Sequence, residues 1–397
     1  MIPYGKQTIS WSDAFKVLWQ VKFKSLTQGK KIAEYEAQIA RYVGAKYAVA
    51  VSSATAGLHL AVLALELPEE SEIATSPISF VASSNCILYA GKKPFFVDIE
   101  ETSINLSTIQ LKNQINQNTN LRAVIPVHFS GLTCDMESIF RICSPKGIKI
   151  IEDAAHALGS RYKNGSKVGS CQFSDITVFS THPVKSITTG EGGVITTNQE
   201  DIYLKLLRLR SHGINKLHDR MKSNLNAFTN GKLNLWYYEM NSLGFNYRLT
   251  EIQSVLGLSQ LARIDKFLKC REKIARYYDE QFLGNDLVTP AQKFDRSISA
   301  NHIYPVRINF RNLSINRNEL MTQLRNLGII TQVHYIPIPM HPYYSDLGYA
   351  CSDLFQSMNY YNECLTLPIF PKLNRRKQKF VVNEFLKILN NSRKAQY

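Results

Sequence analysis

YAVAVSSATAGLHLAVLALEL, residues 47–67, decides the fold. Its first seven residues are rich in valine and alanine and read as a strand. The remaining fourteen place apolar side chains at helical spacing and carry no proline. A strand running straight into a helix is half of a βαβ unit, and the chain on either side repeats the pattern. EIATSP (72–77) is the next strand, and FVASSNCILYAG (80–91) is a helix beginning at Phe80 and stopping at Gly91. PFFVDI (94–99), LRAVIPVHF (121–129), IKIIED (148–153), ITVFST (176–181) and GVITTN (193–198) complete the strands. Helical stretches around 107–116 and 136–145 separate them. Alternation of this kind predicts an α/β fold with a mostly parallel central sheet covered by helices on both faces. IKIIED is almost wholly apolar before its two acids, as a central strand buried on both faces should be. It delivers Glu152 and Asp153 to the carboxyl edge of the sheet, where such folds bind ligands.

Beyond residue 198 the pattern changes. Residues 215–234 are polar, basic and without period, and read as a long surface loop. A helical pattern rich in leucine and glutamine runs from Tyr247 to about Phe282. HIYPVRINF (302–310), NRNELMTQLRNLG (316–328), IITQVHYIP (329–337) and a stretch around 377–389 then read β–α–β–α. The expected division is a large domain over 1–262, with its N-terminal segment reaching the substrate, and a small α/β domain over 263–397. A chain of 397 residues with 44% hydrophobic content can bury two such cores.

Bulk properties narrow the class of function. No basic segment followed by an apolar one opens the chain, and no apolar run approaches the length of a membrane span, so a cytoplasmic enzyme is expected. The seven cysteines are odd in number and lack C-x-x-C spacing, which suits reduced core residues. The histidines show no metal-ligand spacing, and no metal is expected. Lysine and arginine outnumber the acids to give a net charge of +15, yet the basic residues are dispersed, and the densest cluster, Arg375-Arg376-Lys377, has no aromatic partners. That distribution suits a solvated surface and an anion-attracting cleft, with no nucleic-acid or membrane partner.

Four pieces carry chemistry. In SSATAGLH (52–59) small residues lead from a strand into a helix whose first amides are free to meet an anion such as phosphate. Phe80 is an aromatic able to stack on a flat ring. Asp153 places a carboxylate at the end of a buried strand, which is costly unless a cation or donors meet it. Finally, FSTHPVKSITTGEGG (179–193) sets Lys185 among serine, threonine and glycine, where a ligand can come close. A desolvated lysine there loses its proton readily and can form a Schiff base. Each piece alone has an ordinary structural reading: a helix cap, a core aromatic, a carboxylate on backbone amides, a surface lysine. Together, in this order, they describe a pyridoxal phosphate site.

SSATAGLH, SPISFVASSN (76–85), IEDAAHALGS (151–160), FSTHPVKSITTGEGG and LGFNYRLTEIQSVLGLSQL (243–261) resemble the signatures of the DegT/DnrJ/EryC1/StrS sugar aminotransferases. The resemblance runs from LTQGKKIAEYE at residue 26 to QVHY at 332–335 and implies a fold type I enzyme dependent on pyridoxal 5′-phosphate. It implies that Lys185 holds the cofactor and shuttles the proton, that Asp153 keeps the pyridine nitrogen protonated, and that Phe80 stacks on the ring. Ala54, Thr55 and Ser180 would bind phosphate, and His156 would lie near the ring. Asn246 would reach a partner's site, making the protein a homodimer with shared active sites. Tyr4, the run Lys24, Ser25, Leu26 and Thr27, and the run Gln332, Val333, His334 and Tyr335 would line the sugar-nucleotide pocket, together with Ala54, Ser180 and Asn246.

Within the family, THPVKSITT, RSHGI, NHIYPV and TQVHYIPI are most similar to the branch acting in pseudaminic acid biosynthesis. That implies amination at C4 of a UDP-linked 4-keto-6-deoxy-N-acetylhexosamine with glutamate as donor. Ser186 stands where that branch carries proline. A perosamine- or bacillosamine-type C4 aminotransferase, or a C3 enzyme, remains the alternative within the family. A dehydratase branch replaces the lysine by histidine, and Lys185 argues against it. A regulatory or nucleic-acid-binding relative of the fold would need a DNA-binding appendage, and no such segment is visible in the sequence.

Overall fold

A computed structural model describes residues 1–215, 221 and 226–394. Two helices precede the expected first strand, α1 (Trp11–Phe23) and α2 (Lys30–Val43). The sequence reading assigned no element before Tyr47. A local signal for α1 was present: Ser10 accepts from the amide of Asp13 while the Asp13 carboxylate accepts from the amide of Ser10, a capping box.

The alternating region then follows as β1 (Tyr47–Val51), α3 (Ala54–Ala64), β2 (Glu72–Thr75), α4 (Ala82–Tyr89), β3 (Lys93–Phe96), α5 (Thr108–Gln117), β4 (Leu121–Ile125), α6 (Met136–Cys143), β5 (Lys149–Asp153), β6 (Ile176–Ser180) and β7 (Gly193–Thr197). The seven strands form one sheet in the order β1-β7-β6-β5-β4-β2-β3. It is parallel except for β7, which runs antiparallel to both of its neighbours. The sheet has a core on each face, and successive residues of one strand feed opposite cores. Ile150 packs with Val124, Phe179 and Val194 on one side, Ile151 with Ile125, Val178 and Ile195 on the other. Helix α3 is buried almost all round because it lies under the second of these cores. Helix α4 starts two residues after Phe80, so that aromatic sits on the turn before the helix rather than in its first position.

After α7 (Glu200–Arg210) come short pairings: β8 (Ile214–Asn215) with β11 (Glu239–Met240), and β9 (Phe228–Thr229) with β10 (Lys232–Leu233). The expected surface loop over 215–234 thus holds two of these short strands, and residues 216–220 and 222–225 of it lie outside the described residues. The single helical pattern expected over 247–282 is two helices, α8 (Glu251–Leu261) and α9 (Ile264–Phe282). Residues 247–250 are instead recruited to the sheet, where the carbonyl of Tyr247 accepts from the amide of Ser52. Thr250 and Gln253 then cap α8 reciprocally. At the break Arg263 turns out to form an ion pair with Asp13 at the start of α1.

The remaining elements are β12 (Val288–Pro290), β13 (Tyr304–Ile308), α10 (Arg317–Asn326), α11 (Pro342–Asp346), α12 (Phe355–Glu363), β14 (Cys364–Leu367) and α13 (Arg375–Asn391). Strands β12, β13 and β14 make a small antiparallel sheet with its own core, to which Ile2 also contributes. The stretch 329–337, expected as a strand, is not one. Ile329 makes an isolated bridge to Ile2 and Gln332 one to Thr366, and the chain then bends so that His334 contacts the Thr366 hydroxyl at 2.9 Å. The third strand of the small sheet is β14. Helix α9 serves both bodies: Ile264 and Phe267 pack in a core of the large sheet, whereas Ile274, Tyr278 and Phe282 pack in that of the small sheet.

Candidate active site

Strands β1, β2, β5 and β6 point their carboxyl ends to the same edge, and a cleft of about 780 Å³ opens there. The two acids at the end of β5 part company at this edge. Glu152 faces the interior and is sealed by His128 (2.6 Å), Tyr162 (2.7 Å), Ser174 (2.5 Å) and Thr177 (3.0 Å), so its buried charge is fully met. Asp153 faces the cleft. Its carboxylate accepts from Ser83 Oγ at 2.6 Å and from the amide of Ala155 at 3.0 Å. These two donors leave acceptor capacity on a carboxylate only 4% exposed, which a cationic ring nitrogen can use.

Lys185 lies in the loop joining β6 to β7. Threonines tie that loop at its neck: the amide of Thr189 donates to the carbonyl of Thr181 at 3.0 Å, and their hydroxyls meet at 2.7 Å. Thr188 caps the amide of Gly190, whose φ of +86° few residues other than glycine adopt at no cost. Gly193 is needed for a different reason, since a β-carbon there would come within 2.7 Å of the amide nitrogen of Ala54. The small residues around Lys185 therefore press its loop against the start of α3. Burial lowers the Lys185 ammonium to about 8; the nearby Asp153 charge works against that shift and buried Arg271 adds to it.

The start of α3 is built as expected for an anion. Ser53 caps the helix by accepting from Ala56, which leaves the amides of Ala54 and Thr55 without a helical partner at the cleft wall. Ser180, at the end of β6, lines the same wall. Phe80 is 60% exposed and lies over the cleft near Tyr335. The imidazole of His156 is buried beside them, bonded through Nε2 to the Tyr335 hydroxyl at 3.2 Å and leaving Nδ1 without a protein partner. Burial, with Lys185 and His334 close by, pushes its pKa well below the usual histidine value, so it is neutral.

The far wall comes from the small-sheet side. Gln332, Val333, His334 and Tyr335 line it, and Tyr4 joins them with its ring 5.4 Å from that of His334. Of the seventeen residues singled out from sequence and resemblance, twelve meet in this one cleft: Tyr4, Ala54, Thr55, Phe80, Asp153, His156, Ser180, Lys185 and the run 332–335; Asn246 and Lys24–Thr27 stand apart. Lys24–Thr27 are exposed, with the carbonyl of Leu26 accepting from the amide of Glu251. Asn246 pairs with Ser211. Two groups at the site went unread in the sequence: Ser83, which holds Asp153, and His302, 3.4 Å from the lysine. Helical spacing from Phe80 could have found the first. The second sits inside NHIYPV, where nothing local marks it.

A phosphate cradle, a buried carboxylate with spare capacity and a lysine of lowered pKa fit pyridoxal phosphate, with Asp153 at the ring nitrogen and Ala54, Thr55 and Ser180 at the phosphate. The pattern of the DegT/DnrJ/EryC1/StrS aminotransferase family matches residues 10–386. The UDP-4-amino-4,6-dideoxy-N-acetyl-beta-L-altrosamine transaminase of Campylobacter jejuni serotype O:23/36 is 36% identical over 100% of this chain and 99% of its own. PseC of Helicobacter pylori, an aminotransferase involved in the biosynthesis of pseudoaminic acid, superposes with a TM-score of 0.88 at 32% identity, covering 98% and 99% of the two chains. A sugar aminotransferase of Streptococcus pneumoniae, Spr1654, solved in its PMP form and described as putative, superposes at 0.89 with 28% identity over 98% and 100%. Among the described residues, no helix is long and apolar enough to cross a membrane. The chain belongs to the DegT/DnrJ/EryC1/StrS family and is a pyridoxal phosphate-dependent sugar aminotransferase.

Proposed function

We propose that this enzyme moves an amino group from glutamate to C4 of a UDP-linked 4-keto-6-deoxy-N-acetylhexosamine, giving UDP-4-amino-4,6-dideoxy-N-acetyl-β-L-altrosamine for pseudaminic acid. The observation that carries this reading is the far wall of the cleft. Tyr4 and Gln332–Tyr335, the positions taken to meet the sugar nucleotide, stand opposite Lys185 and Asp153 in one cavity. The end-to-end similarity to a transaminase named for that product supports the choice of sugar.

Bound pyridoxal phosphate supplies an electron sink that makes the carbon bearing the amino group acidic. The rest falls to the protein. Asp153 holds a proton on the ring nitrogen, and Phe80 and His156 confine the ring. The amides of Ala54 and Thr55 and the hydroxyl of Ser180 hold the phosphate. Lys185, lowered to about 8, would hold the cofactor at rest and, once released, would carry a proton on Nζ between the substrate carbon and the cofactor carbon that takes up the amino group, in one direction with the donor and in reverse with the keto sugar.

Asn246 and Lys24–Thr27 lie outside their own chain's cleft. In this reading they complete the cleft of a second copy, so that a homodimer carries two shared sites. The division at 262/263 is kept, with α9 as the element common to both domains. The experiment is to incubate the protein with glutamate and a panel of UDP-, dTDP- and GDP-linked 4-keto sugars and to identify the aminated product by NMR. Amination confined to a GDP or dTDP sugar, or at C3, would replace this substrate with one of the alternatives.

A further inference from the structure

His302 is 4% exposed, lines the cleft, and sets Nε2 3.4 Å from Nζ of Lys185. Its Nδ1 is buried and meets no protein partner. The residue is held from three directions. Its amide donates to the carbonyl of Ser130 at 2.8 Å. The preceding residue, Asn301, adopts a φ of +46° and is fixed by side-chain bonds to the carbonyls of Arg296 and Ser299. The carbonyl of His302 accepts from Arg271 at 2.9 Å.

Arg271 is itself unusual. It is 1% exposed, and its guanidinium meets backbone carbonyls rather than a carboxylate: those of Asn301, His302 and Ile369 through Nη1, and that of Val184 through Nη2. Burying a cation this way is costly. What it achieves is a clamp between the residue before Lys185 and the residue that carries the imidazole.

We propose that His302 is a catalytic group of this transaminase, its neutral imidazole accepting a hydrogen bond from Nζ of Lys185 and aiming the amine at the reacting carbon whenever the lysine is free. The inference rests on Lys185 being the acting lysine. The groups around His302 keep it neutral. Burial and the charges of Lys185 and Arg271, with His156 and His334 also near, push its pKa well below the ordinary value. A protonated ring would have no lone pair to offer and would repel the ammonium. In the proton step a C–H bond of the substrate breaks and an N–H bond of Lys185 forms. The resulting ammonium donates to His302 Nε2, and the imidazole gains no charge.

Three variants test this: His302→Gln, whose amide oxygen reaches where Nε2 stood, His302→Asn, whose amide reaches only where Nδ1 stood, and His302→Leu. Two readouts are taken. One is the pH dependence of Lys185 modification by fluorodinitrobenzene in cofactor-free protein, located by peptide mapping. The other is the rate of the glutamate half-reaction in the loaded enzyme. Losing the acceptor destabilises the ammonium, so His302→Leu and His302→Asn should move the labelling midpoint down by about 1 pH unit and slow the half-reaction by about tenfold or more, while His302→Gln restores both. If Gln and Asn behave alike, or the midpoint stays put in both Asn and Leu, His302 is only structural and the proposal falls. A different failure, in which borohydride reduction of the loaded enzyme marks another lysine, would overturn the Lys185 reading itself.

Discussion

Two regions of the molecule are finished to different degrees. At the edge formed by β5 and β6, the reacting groups are held from within the chain: Asp153 by Ser83 and Ala155, and Lys185 beside His302. Over residues 24–27 and 235–246 the opposite holds. Leu26 is 50% exposed, Trp236 69%, Leu243 77% and Leu235 94%, a run of apolar side chains left in water. Burying such side chains is worth about 1.5–3 kcal/mol each, so leaving several uncovered forgoes a large stabilisation. One region holds its reacting groups in place with contacts from its own chain. The other is suited to being covered by a second copy of the chain, as the shared-site reading requires.

The sharpest way to break the comparison is at the edge formed by β5 and β6. Lys185→Ala should abolish turnover while leaving the circular dichroism spectrum intact, and borohydride treatment of the wild type should mark Lys185 alone. Asp153→Asn should fold and bind cofactor yet lose roughly 10² to 10⁴ in kcat, because an amide cannot hold the ring nitrogen protonated. Near-normal turnover in that variant would remove Asp153 from the machinery.

The second region is tested by complementation. Lys185→Ala and Asn246→Ala, each impaired alone, are mixed and allowed to exchange subunits. A heterodimer would carry one site with both lesions and one with neither, so activity should return to about half of wild type per heterodimer. If exchange is demonstrated by mass and activity stays absent, Asn246 serves its own chain.

A smaller effect concerns pH. The Lys185 pKa, about 8 in the fold, lies below its ordinary value of about 10.4, so the unfolded chain binds more protons between these limits. Lys185 therefore costs the cofactor-free fold stability at neutral pH, and that cost fades as pH rises from about 8 to about 10.4. Lys185→Met should melt slightly higher than wild type at pH 7, and urea titrations should show the difference vanishing by pH 10.5.

The alternating strands were legible because their residues are short, apolar and β-branched, and because both faces of the sheet are buried. Lys185, Asp153 and the start of α3 were legible for a related reason: a polar residue ending a buried strand stands out. The stretch 329–337 misled because it is rich in β-branched residues (Ile329, Ile330, Thr331, Val333 and Ile336), whereas His334 is held by Tyr360 and Thr366, 26 and 32 residues away along the chain. His302 was illegible for the same reason. Its partner Lys185 is 117 residues away, and nothing in NHIYPV encodes that meeting. Helix α1 escaped notice because its exposed Trp11, Phe15 and Leu18 blur the contrast between a buried and a solvated face.

Helix α9 has a consequence for how the molecule comes apart. Its first turns are part of the large-sheet core, its last turns part of the small-sheet core, and between them Arg271 holds carbonyls of both bodies. Neither body can melt without stripping partners from a helix the other depends on. Calorimetry of the cofactor-free chain should thus give a single endotherm in which the calorimetric and van't Hoff enthalpies of each chain agree, despite two sheets and two cores.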